Sequence, residues 1–202
     1  MNLYERYVLP RLTDLVMRNA ADAAERAKLI PRAAGIVVEV GIGSALNLPF
    51  YGSRVDKLYG VDPSRELWRI GRRRIDAARF PVEFVPSPAE RIPLDTAMAD
   101  SVVTTWTLCT VQQPRTAIEE IKRLLKPDGR FLFIEHGAAP EPSVRAWQNR
   151  LTPLWKRVAG GCHMNRQIDA LIGEAGFQFE QIERGYTGRP KVLTYLYRGL
   201  AR

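Results

Sequence analysis

Short runs of apolar, largely β-branched residues alternate with amphipathic segments through most of the chain. Such a run, bounded by turn signals, is typical of a buried strand, and apolar positions at helical spacing indicate a helix. The predicted strands lie near residues 36–40, 57–62, 82–85, 101–106 and 129–135. The predicted helices follow Ser44 and cover residues 63–78 and 115–125. This order predicts an α/β protein with a doubly wound, mostly parallel sheet.

The last part of the chain departs from this alternation. A helix is predicted near residues 166–175, where Gly176 ends it, and strands near 177–183 and 192–198 follow. A short link with glycine and proline joins these two strands, which is typical of an antiparallel hairpin. The sequence therefore predicts seven strands, with the last two forming a hairpin at one edge of the sheet.

The segment ahead of the first strand has a helical pattern from residue 3 to about residue 30. Its apolar side chains fall on overlapping faces, and Pro10 marks a break or a helix start. Residues 1–30 are therefore expected to form an N-terminal helical cover over the segment that follows them.

The chain has 202 residues, of which 46% are hydrophobic and 26% are charged. This length suits one well-buried domain, and the composition is that of a soluble globular protein. No apolar run is long enough to span a bilayer, and Glu5 and Arg6 follow Met1 too closely for a secretory signal. We therefore expect a single domain over residues 1–202, located in the cytoplasm.

The chain has two cysteines, Cys109 and Cys162. They are too few, and too far from any ligand spacing, for a disulfide framework or a zinc site. They are expected to be free thiols in a reducing compartment, and no metal site is predicted.

Basic residues are concentrated in one segment. The net charge is +8, and between Glu141 and Asp169 there is no acid but there are five basic residues. Apolar residues are interleaved with them at helical spacing, namely Trp147, Leu151, Leu154, Trp155 and Val158. The pattern of residues 141–168 therefore predicts a basic, aromatic helix. Its charge alone does not identify its function, because a solvated helical face has the same composition.

Three uses are open for this basic segment. Tryptophan flanked by arginine and lysine can lie on an anionic membrane. The same helix can instead be a lid whose apolar side closes over a hydrophobic small molecule. Phosphate binding to nucleic acid is a lesser alternative, because no RNA-binding module accompanies the charge. We favour a lid that also makes weak contact with an anionic membrane surface.

A candidate nucleotide site lies at the end of the first predicted strand. Gly41 and Gly43 follow an apolar run, and Asp62 ends the next strand. Glycine lets the backbone approach a ligand because no Cβ is in the way, and an acid on the adjacent strand can reach ribose hydroxyls. The glycine pair alone could be a tight turn between strand and helix, but together with the acids it favours a nucleotide cofactor.

Two details favour S-adenosylmethionine over a nicotinamide cofactor. Dinucleotide sites need a small residue three positions after the second glycine, where a helix receives the pyrophosphate, and this chain has Leu46 there. Glu39 is unusual at the end of a buried strand, because an unpaired carboxylate would be costly there. A cationic ligand such as S-adenosylmethionine would balance its charge.

Three further motifs follow the candidate nucleotide site along the chain. These motifs are Pro86-Ser87-Pro88-Ala89-Glu90-Arg91-Ile92-Pro93-Leu94, Ala99-Asp100-Ser101-Val102-Val103 and Leu124-Leu125-Lys126-Pro127-Asp128-Gly129-Arg130-Phe131. In this order and spacing, residues 36–177 resemble the class I S-adenosylmethionine-dependent methyltransferases of the "type 11" branch, which act on small molecules, quinones and lipids. The resemblance implies a Rossmann-like fold, S-adenosylmethionine as cofactor and S-adenosylhomocysteine as product. It implies no metal.

Three other segments resemble a narrower group, and they are Trp106-Thr107-Leu108-Cys109-Thr110-Val111, Ile134-Glu135-His136 and Gly160-Gly161-Cys162-His163-Met164-Asn165-Arg166. They are similar to the membrane-associated alkyl-thiol S-methyltransferases of animals. Those proteins add an N-terminal hydrophobic anchor that we do not find in this sequence, so only surface contact with a membrane is expected.

The resemblance implies a set of cofactor-binding residues, namely Glu39, Gly41, Gly43, Asn47, Asp62, Pro63, Ala89, Glu90 and Thr105. The family usually has an acid just before the position of Ala89, where it meets the adenine amino group, but this chain has Pro88 there. Recognition of adenine is therefore expected from the backbone near Ala89 and from Glu90.

Candidate catalytic residues are His136, His163 and Trp106. Methyl transfer needs alignment of donor and acceptor and exclusion of water, and a thiol acceptor must also lose its proton. His136 follows a central strand, where this fold binds ligands, and His163 could reach the same pocket from the glycine-rich turn. Either histidine could instead be structural, and Trp106, with Thr107, could simply pack in the core.

Several functions fit these residues. The leading one is methyl transfer from S-adenosylmethionine to a small, apolar acceptor such as an alkyl thiol. A phospholipid or quinone methyltransferase at the membrane surface is the next, and a non-catalytic protein that binds the cofactor as a sensor is another. An oxidoreductase is disfavoured by Leu46. Cys162 is not needed as a nucleophile, because this reaction has no covalent enzyme intermediate.

Overall fold

The computed structural model describes residues 3–202, apart from the side chains of residues 5 and 6. Met1 and Asn2, the start of the predicted N-terminal cover, lie outside the described residues. Seven strands form one sheet in the order β3-β2-β1-β4-β5-β7-β6. They are β1 (Gly35–Val40), β2 (Val55–Val61), β3 (Val82–Val85), β4 (Ala99–Thr105), β5 (Leu125–His136), β6 (Phe179–Tyr186) and β7 (Tyr195–Ala201).

The first five strands are parallel, and β7 runs antiparallel to both β5 and β6. The predicted doubly wound, seven-stranded sheet with an antiparallel edge hairpin is therefore confirmed. Strand order reverses between β1 and β4, because β2 and β3 lie on one side of β1 while β4 and β5 lie on the other. Sheets of this kind bind their ligands beyond the carboxyl ends of the strands at such a reversal.

Helices pack on both faces of the sheet. The α-helices are α1 (Leu9–Val16), α2 (Ala20–Leu29), α3 (Arg65–Ile70), α4 (Arg72–Asp76), α5 (Pro114–Leu124), α6 (Pro142–Val158), α7 (Ile168–Glu174) and α8 (Lys191–Thr194). A π-helical turn covers Tyr4–Val8, and 3₁₀ turns cover Ile30–Arg32 and Leu48–Phe50. Among the residues that the structure describes, no helix is both long and apolar enough to cross a membrane.

Two apolar clusters, one on each face, fix the sheet. One face packs Phe131 and Phe133 of β5 against the buried sides of α5 and α7. The other packs Leu132 and Ile134 with Ile30, at the end of the N-terminal helices. The alternation of these β5 residues between the two clusters is the period of two that a strand buried on both faces must have.

The N-terminal helical pattern is interrupted in the structure. Helix α1 ends at Val16, and Asn19 then starts α2 by accepting a hydrogen bond from the Asp22 backbone N–H at 2.9 Å. Asparagine is a strong N-cap residue, so this break has a local cause. Pro10 lies in the first turn of α1. Of the two predictions for this residue, a helix break or a helix start, the helix start is therefore confirmed.

Two helices predicted in the first half of the chain differ in the structure: one is absent and the other is divided. After Ser44 the chain makes turns, with Ala45 at a φ of 62°, and only the 3₁₀ turn Leu48–Phe50 follows. The predicted helix over residues 63–78 is divided at Gly71, whose backbone lies so close to Ser44 that a Cβ would meet the Ser44 carbonyl oxygen at 2.7 Å. Tertiary contacts determine the conformation of both segments, and helical periodicity in the sequence carries no information about such contacts.

The boundaries of the C-terminal strands also differ from prediction. Strand β5 begins at Leu125, directly after α5 and ahead of its predicted start near residue 129, and its pairing with β4 is irregular between Leu125 and Arg130. Strand β7 begins at Tyr195, because Lys191–Thr194 forms the helical turn α8. The hairpin itself is present, at residues later than predicted.

Candidate cofactor and acceptor site

The two predicted glycines lie in the turn that follows β1. Gly41 and Gly43 have φ values of 82° and 53°, a backbone region that favours glycine. A Cβ at Gly41 would overlap the Thr107 side chain, whereas a Cβ at Gly43 would find its nearest atoms 4.0 Å away. Gly41 is thus required by packing against the loop after β4, and Gly43 leaves open space beside the backbone.

Asp62 faces this turn from the end of β2, as predicted. Its Oδ2 accepts a hydrogen bond from the Gly43 backbone N–H at 2.9 Å, and its Oδ1 accepts one from the Ser64 backbone N–H at 2.7 Å. The carboxylate is 7% exposed, and burial raises its pKa from the ordinary value. Each oxygen has further lone-pair capacity, so the group can still accept hydrogen bonds from a ligand.

Glu39 is fully buried at the end of β1, but the sequence argument about its charge was wrong. Its oxygens accept hydrogen bonds from Asn47 Nδ2 at 2.9 Å and from the Tyr51 hydroxyl at 2.8 Å, so neutral donors already satisfy it. Burial raises the pKa of Glu39 to about 7. No cationic ligand is needed to explain a carboxylate at this position.

Asn47 connects Glu39 to two other elements. Its Nδ2 donates to Thr105 Oγ1 at 3.0 Å, and its Oδ1 accepts from Arg26 Nε at 3.0 Å. The Arg26 guanidinium lies 4.7 Å from the centre of the Trp106 ring, within the range of a cation–π interaction. The predicted residues Glu39, Asn47 and Thr105 are therefore brought together, with Trp106 next to them.

Arg26 and Tyr51 were missed by sequence reasoning. Arg26 lies on α2 and is 4% exposed, and its Nη1 also donates to the Met17 carbonyl at 2.9 Å. Leu29 and Ile30, three and four positions later, are buried as well. The helical period could therefore have placed Arg26 on the inner face of the N-terminal cover.

Trp106 begins the loop after β4 and has a φ of 51°. A bulky residue in this backbone region is strained, and such residues concentrate at functional sites. The Trp106 backbone N–H donates to the Ile134 carbonyl at 2.7 Å, which ties this residue to β5 two positions before His136.

The remaining predicted cofactor residues lie in the loops that follow β2 and β3. Ala89 is buried in the loop after β3, and Glu90 Oε1 accepts a hydrogen bond from the Gln113 backbone N–H at 3.0 Å. Glu90 thus joins this loop to the start of α5. Pro63 directly follows Asp62 and is exposed.

The two candidate catalytic histidines meet at a pair of cysteines. His136 Nδ1 lies 3.5 Å from Cys162 Sγ, and the His163 backbone N–H donates to the Cys109 carbonyl at 2.7 Å. His136 Nε2 and His163 Nδ1 are buried without a hydrogen-bond partner. A buried, unsatisfied ring nitrogen is costly, so these atoms are places where a bound molecule can donate or accept a hydrogen bond.

Glu135, next to His136, is a second buried acid that the sequence did not assign. It is 0% exposed, and its oxygens accept hydrogen bonds from the backbone N–H groups of Thr107 at 3.2 Å and Cys109 at 3.4 Å. Burial raises its pKa to about 7. Glu135 therefore holds the loop after β4 against the end of β5.

Helix α6, which belongs to the predicted basic segment, packs next to the histidines and cysteines described above. The Gln148 side chain is fully buried, accepts from the Ala139 backbone N–H at 2.9 Å and donates to the Gly137 carbonyl at 3.1 Å. Gly137 directly follows His136, so α6 crosses the chain where β5 ends. Among the side chains that the structure describes, no cluster of three or more His, Cys, Asp or Glu could hold a metal ion.

Comparison with known proteins agrees with this geometry. A family profile described as "Methyltransferase domain" matches residues 38–133. The thiol S-methyltransferase TMT1B of Rattus norvegicus is 33% identical over 154 residues, which are 73% of this chain and 62% of that protein. The phosphatidylethanolamine N-methyltransferase of Cereibacter sphaeroides is 28% identical over 142 residues, which are 69% of this chain and 68% of that protein.

A solved structure shows the same fold. The S-adenosylmethionine-dependent methyltransferase of Aquifex aeolicus matches with a TM-score of 0.63 at 16% identity, over 100% of this chain and 98% of that chain. The chain spans 62% of the length of TMT1B.

Residues 38–133 therefore match a methyltransferase domain, and the chain has the fold of the class I S-adenosylmethionine-dependent methyltransferases. Within that class it resembles the thiol S-methyltransferases, as the segments around Trp106, His136 and His163 implied. The cofactor of the class is S-adenosylmethionine, and S-adenosylhomocysteine is its product.

The buried acid Glu135 predicts a pH dependence of stability. Its pKa is raised from 4.5 to about 7, so the folded state holds this proton more tightly than the unfolded state does. The resulting stabilisation is fully present below the unfolded pKa and is lost as the pH rises through the folded pKa. Across this interval the free energy of unfolding falls by up to about 3 kcal/mol.

Glu135→Gln should therefore flatten the dependence of the free energy of unfolding on pH, measured by urea unfolding at intervals from acid to neutral pH. Any constant cost of replacing an oxygen by an NH₂ group does not alter that slope. Glu119→Gln, at an exposed position on α5, is the matched control and should keep the wild-type slope. An unchanged slope in Glu135→Gln would contradict the proton binding assigned here.

Proposed function

We propose that the protein transfers the methyl group of S-adenosylmethionine to a small, apolar thiol. The observation that carries this proposal is the position of His136. Its buried, unpartnered Nε2 lies where β5 ends, next to the loop of Trp106 that borders the glycine turn. The resemblance to a thiol S-methyltransferase supports the same acceptor chemistry.

The glycine turn fits the cofactor, because it offers open space at Gly43 beside a buried carboxylate. In this proposal Asp62 accepts hydrogen bonds from ribose hydroxyls, and the turn at Gly41 and Gly43 contacts the methionine part. Ala89 and Glu90 border the adenine, with exposed Pro63 at the rim. The bound cofactor supplies an activated methyl group on a sulfonium.

Glu39 acts in this proposal through Asn47 and Tyr51, which donate hydrogen bonds to its oxygens. It fixes Asn47, and Asn47 in turn orients Thr105 and Arg26 around the methionine end of the pocket. An ordered set of side chains pre-arranges the donor and so reduces the entropy lost in reaching the reactive geometry.

A thiol acceptor must lose its proton before it attacks carbon. A free thiol has a pKa of about 8.5 and is mostly protonated at neutral pH. We assign His136 Nε2 as the base that takes this proton, with His163 as a second group on the same wall. Trp106 provides an apolar surface for the acceptor, and water is excluded where α6 crosses the end of β5.

In the same proposal, the described part of the N-terminal segment, residues 3–30, covers the cofactor, and residues 141–168 form the lid over the acceptor. Arg26 connects the cover to Asn47, and Gln148 connects the lid to the residues just after His136. We further propose that the protein works in the cytoplasm, where Cys109 and Cys162 remain thiols.

Asp62→Ala should weaken binding of S-adenosylhomocysteine by about 1–3 kcal/mol, because the ribose hydroxyls lose a buried acceptor. Titration calorimetry on the purified protein measures this change. Asp56→Ala removes an exposed carboxylate from the other end of β2 and should bind as the wild type does. Equal affinities for all three proteins would remove Asp62 from the cofactor site.

The acceptor is identified by incubating the protein with methyl-labelled S-adenosylmethionine and a panel of alkyl thiols, sulfide, phosphatidylethanolamine and a quinol. We expect label on the alkyl thiols, and a lower rate in His136→Gln with cofactor affinity retained. Label on lipid or quinol alone would favour the alternative methyltransferases. Cofactor binding without transfer to any acceptor would favour a sensor.

A second proposal concerns contact with a membrane surface. Helix α6 exposes Trp147 and Leu154 by 55% and 64%, and α1 exposes Leu15 by 68%. The Tyr4 hydroxyl donates to the Val158 carbonyl at 2.8 Å, so the N-terminal helical segment and the end of α6 adjoin. Apolar side chains next to arginines suit the surface of an anionic bilayer, from which an apolar acceptor can enter.

The double variant Arg150→Glu and Arg157→Glu should lose sedimentation with phosphatidylglycerol vesicles, because both arginines are exposed on α6. The double variant Arg65→Glu and Arg79→Glu has the same change in net charge at exposed positions elsewhere and should sediment as the wild type does. Equal loss in both variants would mean that net charge, and not this surface, attracts the vesicles.

A further inference from the structure

The two cysteines of the chain lie in neighbouring backbone segments, between the acceptor wall and the lid. The acceptor wall is the surface of Trp106, His136 and His163 that the proposed function places against the acceptor. Cys109 lies in the loop after β4, and Cys162 lies in the turn that follows α6. The bond from the His163 backbone N–H to the Cys109 carbonyl fixes the two backbone segments side by side. Both residues are free thiols.

The two sulfur atoms have different environments. Cys109 is 1% exposed, whereas Cys162 is partly exposed and has His136 Nδ1 at 3.5 Å. Hydrogen bonds from Cys109 and His136 lower the pKa of Cys162 to about 5, while the bond to Cys162 and burial raise the pKa of Cys109. One accessible thiolate beside a buried thiol is the arrangement of an attacking and a resolving cysteine.

We propose that Cys162 and Cys109 form a dithiol site that reacts with small-molecule disulfides and closes to an internal disulfide. Neither cysteine has a role in the methyl transfer proposed above, which needs no enzyme nucleophile. The bond between the two cysteine-bearing backbone segments and the contact of Cys162 Sγ with His136 Nδ1 carry the proposal. A disulfide made from two acceptor-like thiols would bind beside the partly exposed Cys162.

The reaction has two exchange steps. The Cys162 thiolate attacks one sulfur of the disulfide, forms a mixed disulfide and releases one small thiolate. The Cys109 thiol then passes its proton to that released thiolate and attacks the Cys162 sulfur, which releases the second small thiolate. The two cysteines lose two electrons, and the small disulfide is reduced by the same two.

The internal disulfide would change the site in two ways. It would join the turn after α6 covalently to the loop that holds Trp106 and Thr107, so that the lid could no longer move apart from the sheet. It would also remove the thiolate that faces His136 Nδ1. Slower methyl transfer in the oxidised protein is therefore expected, and this consequence, unlike the cysteine chemistry, rests on the proposed function.

The chemistry is tested on the folded protein with oxidised glutathione, followed by intact mass spectrometry with and without dithiothreitol. The wild type should lose two hydrogen atoms and retain no glutathione, because Cys109 resolves the mixed disulfide. Cys109→Ser should accumulate one bound glutathione on Cys162. Cys162→Ser should react at least about tenfold more slowly, because its remaining thiol is buried and protonated.

Unfolding in guanidinium provides the folding control, because each single variant should then take up glutathione at a similar rate. Two unreacted thiols in the folded wild type, or disulfides between chains in place of the internal one, would overturn the proposal. Equal rates for the two folded variants would overturn the assigned order of attack.

The consequence for methyl transfer has a separate readout. Oxidised wild type should transfer methyl groups at least about fivefold more slowly and recover with dithiothreitol, while calorimetry shows cofactor binding in both forms. An oxidised protein with an undiminished rate would refute the coupling to the lid. Absence of transfer in the reduced protein would count against the proposed function and would leave the mass measurements decisive for the dithiol site.

Discussion

The Glu39 carboxylate at the carboxyl end of β1 sets the arrangement around it, because a buried charge must be hydrogen-bonded to be tolerated. Tyr51 and Asn47 provide those bonds, and both lie in the turns that replace a helix after the glycines. Asn47 then reaches Thr105 at the end of β4 and Arg26 on α2. One buried acid thus connects the sheet, the glycine turn and the N-terminal helices, and it does so with neutral donors and one cation of the chain itself.

Elements whose signals are local could be predicted from the sequence. The β-branched run before Gly41, and the spacing to Asp62, identified two adjacent parallel strands, and the structure joins Gly43 to Asp62 by a hydrogen bond. The conformation of segments that depend on contacts with distant residues could not be predicted from the sequence. The chain after Ser44 is shaped by Glu39, and Gly71 is shaped by the approach of Ser44. Helical periodicity reports which positions are apolar and does not report such approaches.

The same distinction applies to the site. Glu39, Asn47, Thr105 and Trp106 were predicted from the sequence, and the structure brings them together. For Glu39, however, the physical argument from an unpaired charge was wrong. Tyr51, Arg26 and Glu135 were missed because each acts through a contact with a segment far away in sequence. The meeting of Cys109 with Cys162 belongs to the same category, since nothing in either local sequence names the other as its neighbour.

The bond between the Tyr4 hydroxyl and the Val158 carbonyl has a consequence for how ligands enter. It links the leading turn of the N-terminal segment to the end of α6, while Asp14 of α1 pairs with Arg74 beside the glycine turn at 3.0 Å. In the proposed function, the cover over the donor and the lid over the acceptor are therefore joined to each other. On that proposal, a displacement of either segment breaks the bond that holds the other, so donor and acceptor would enter on the same side of the molecule.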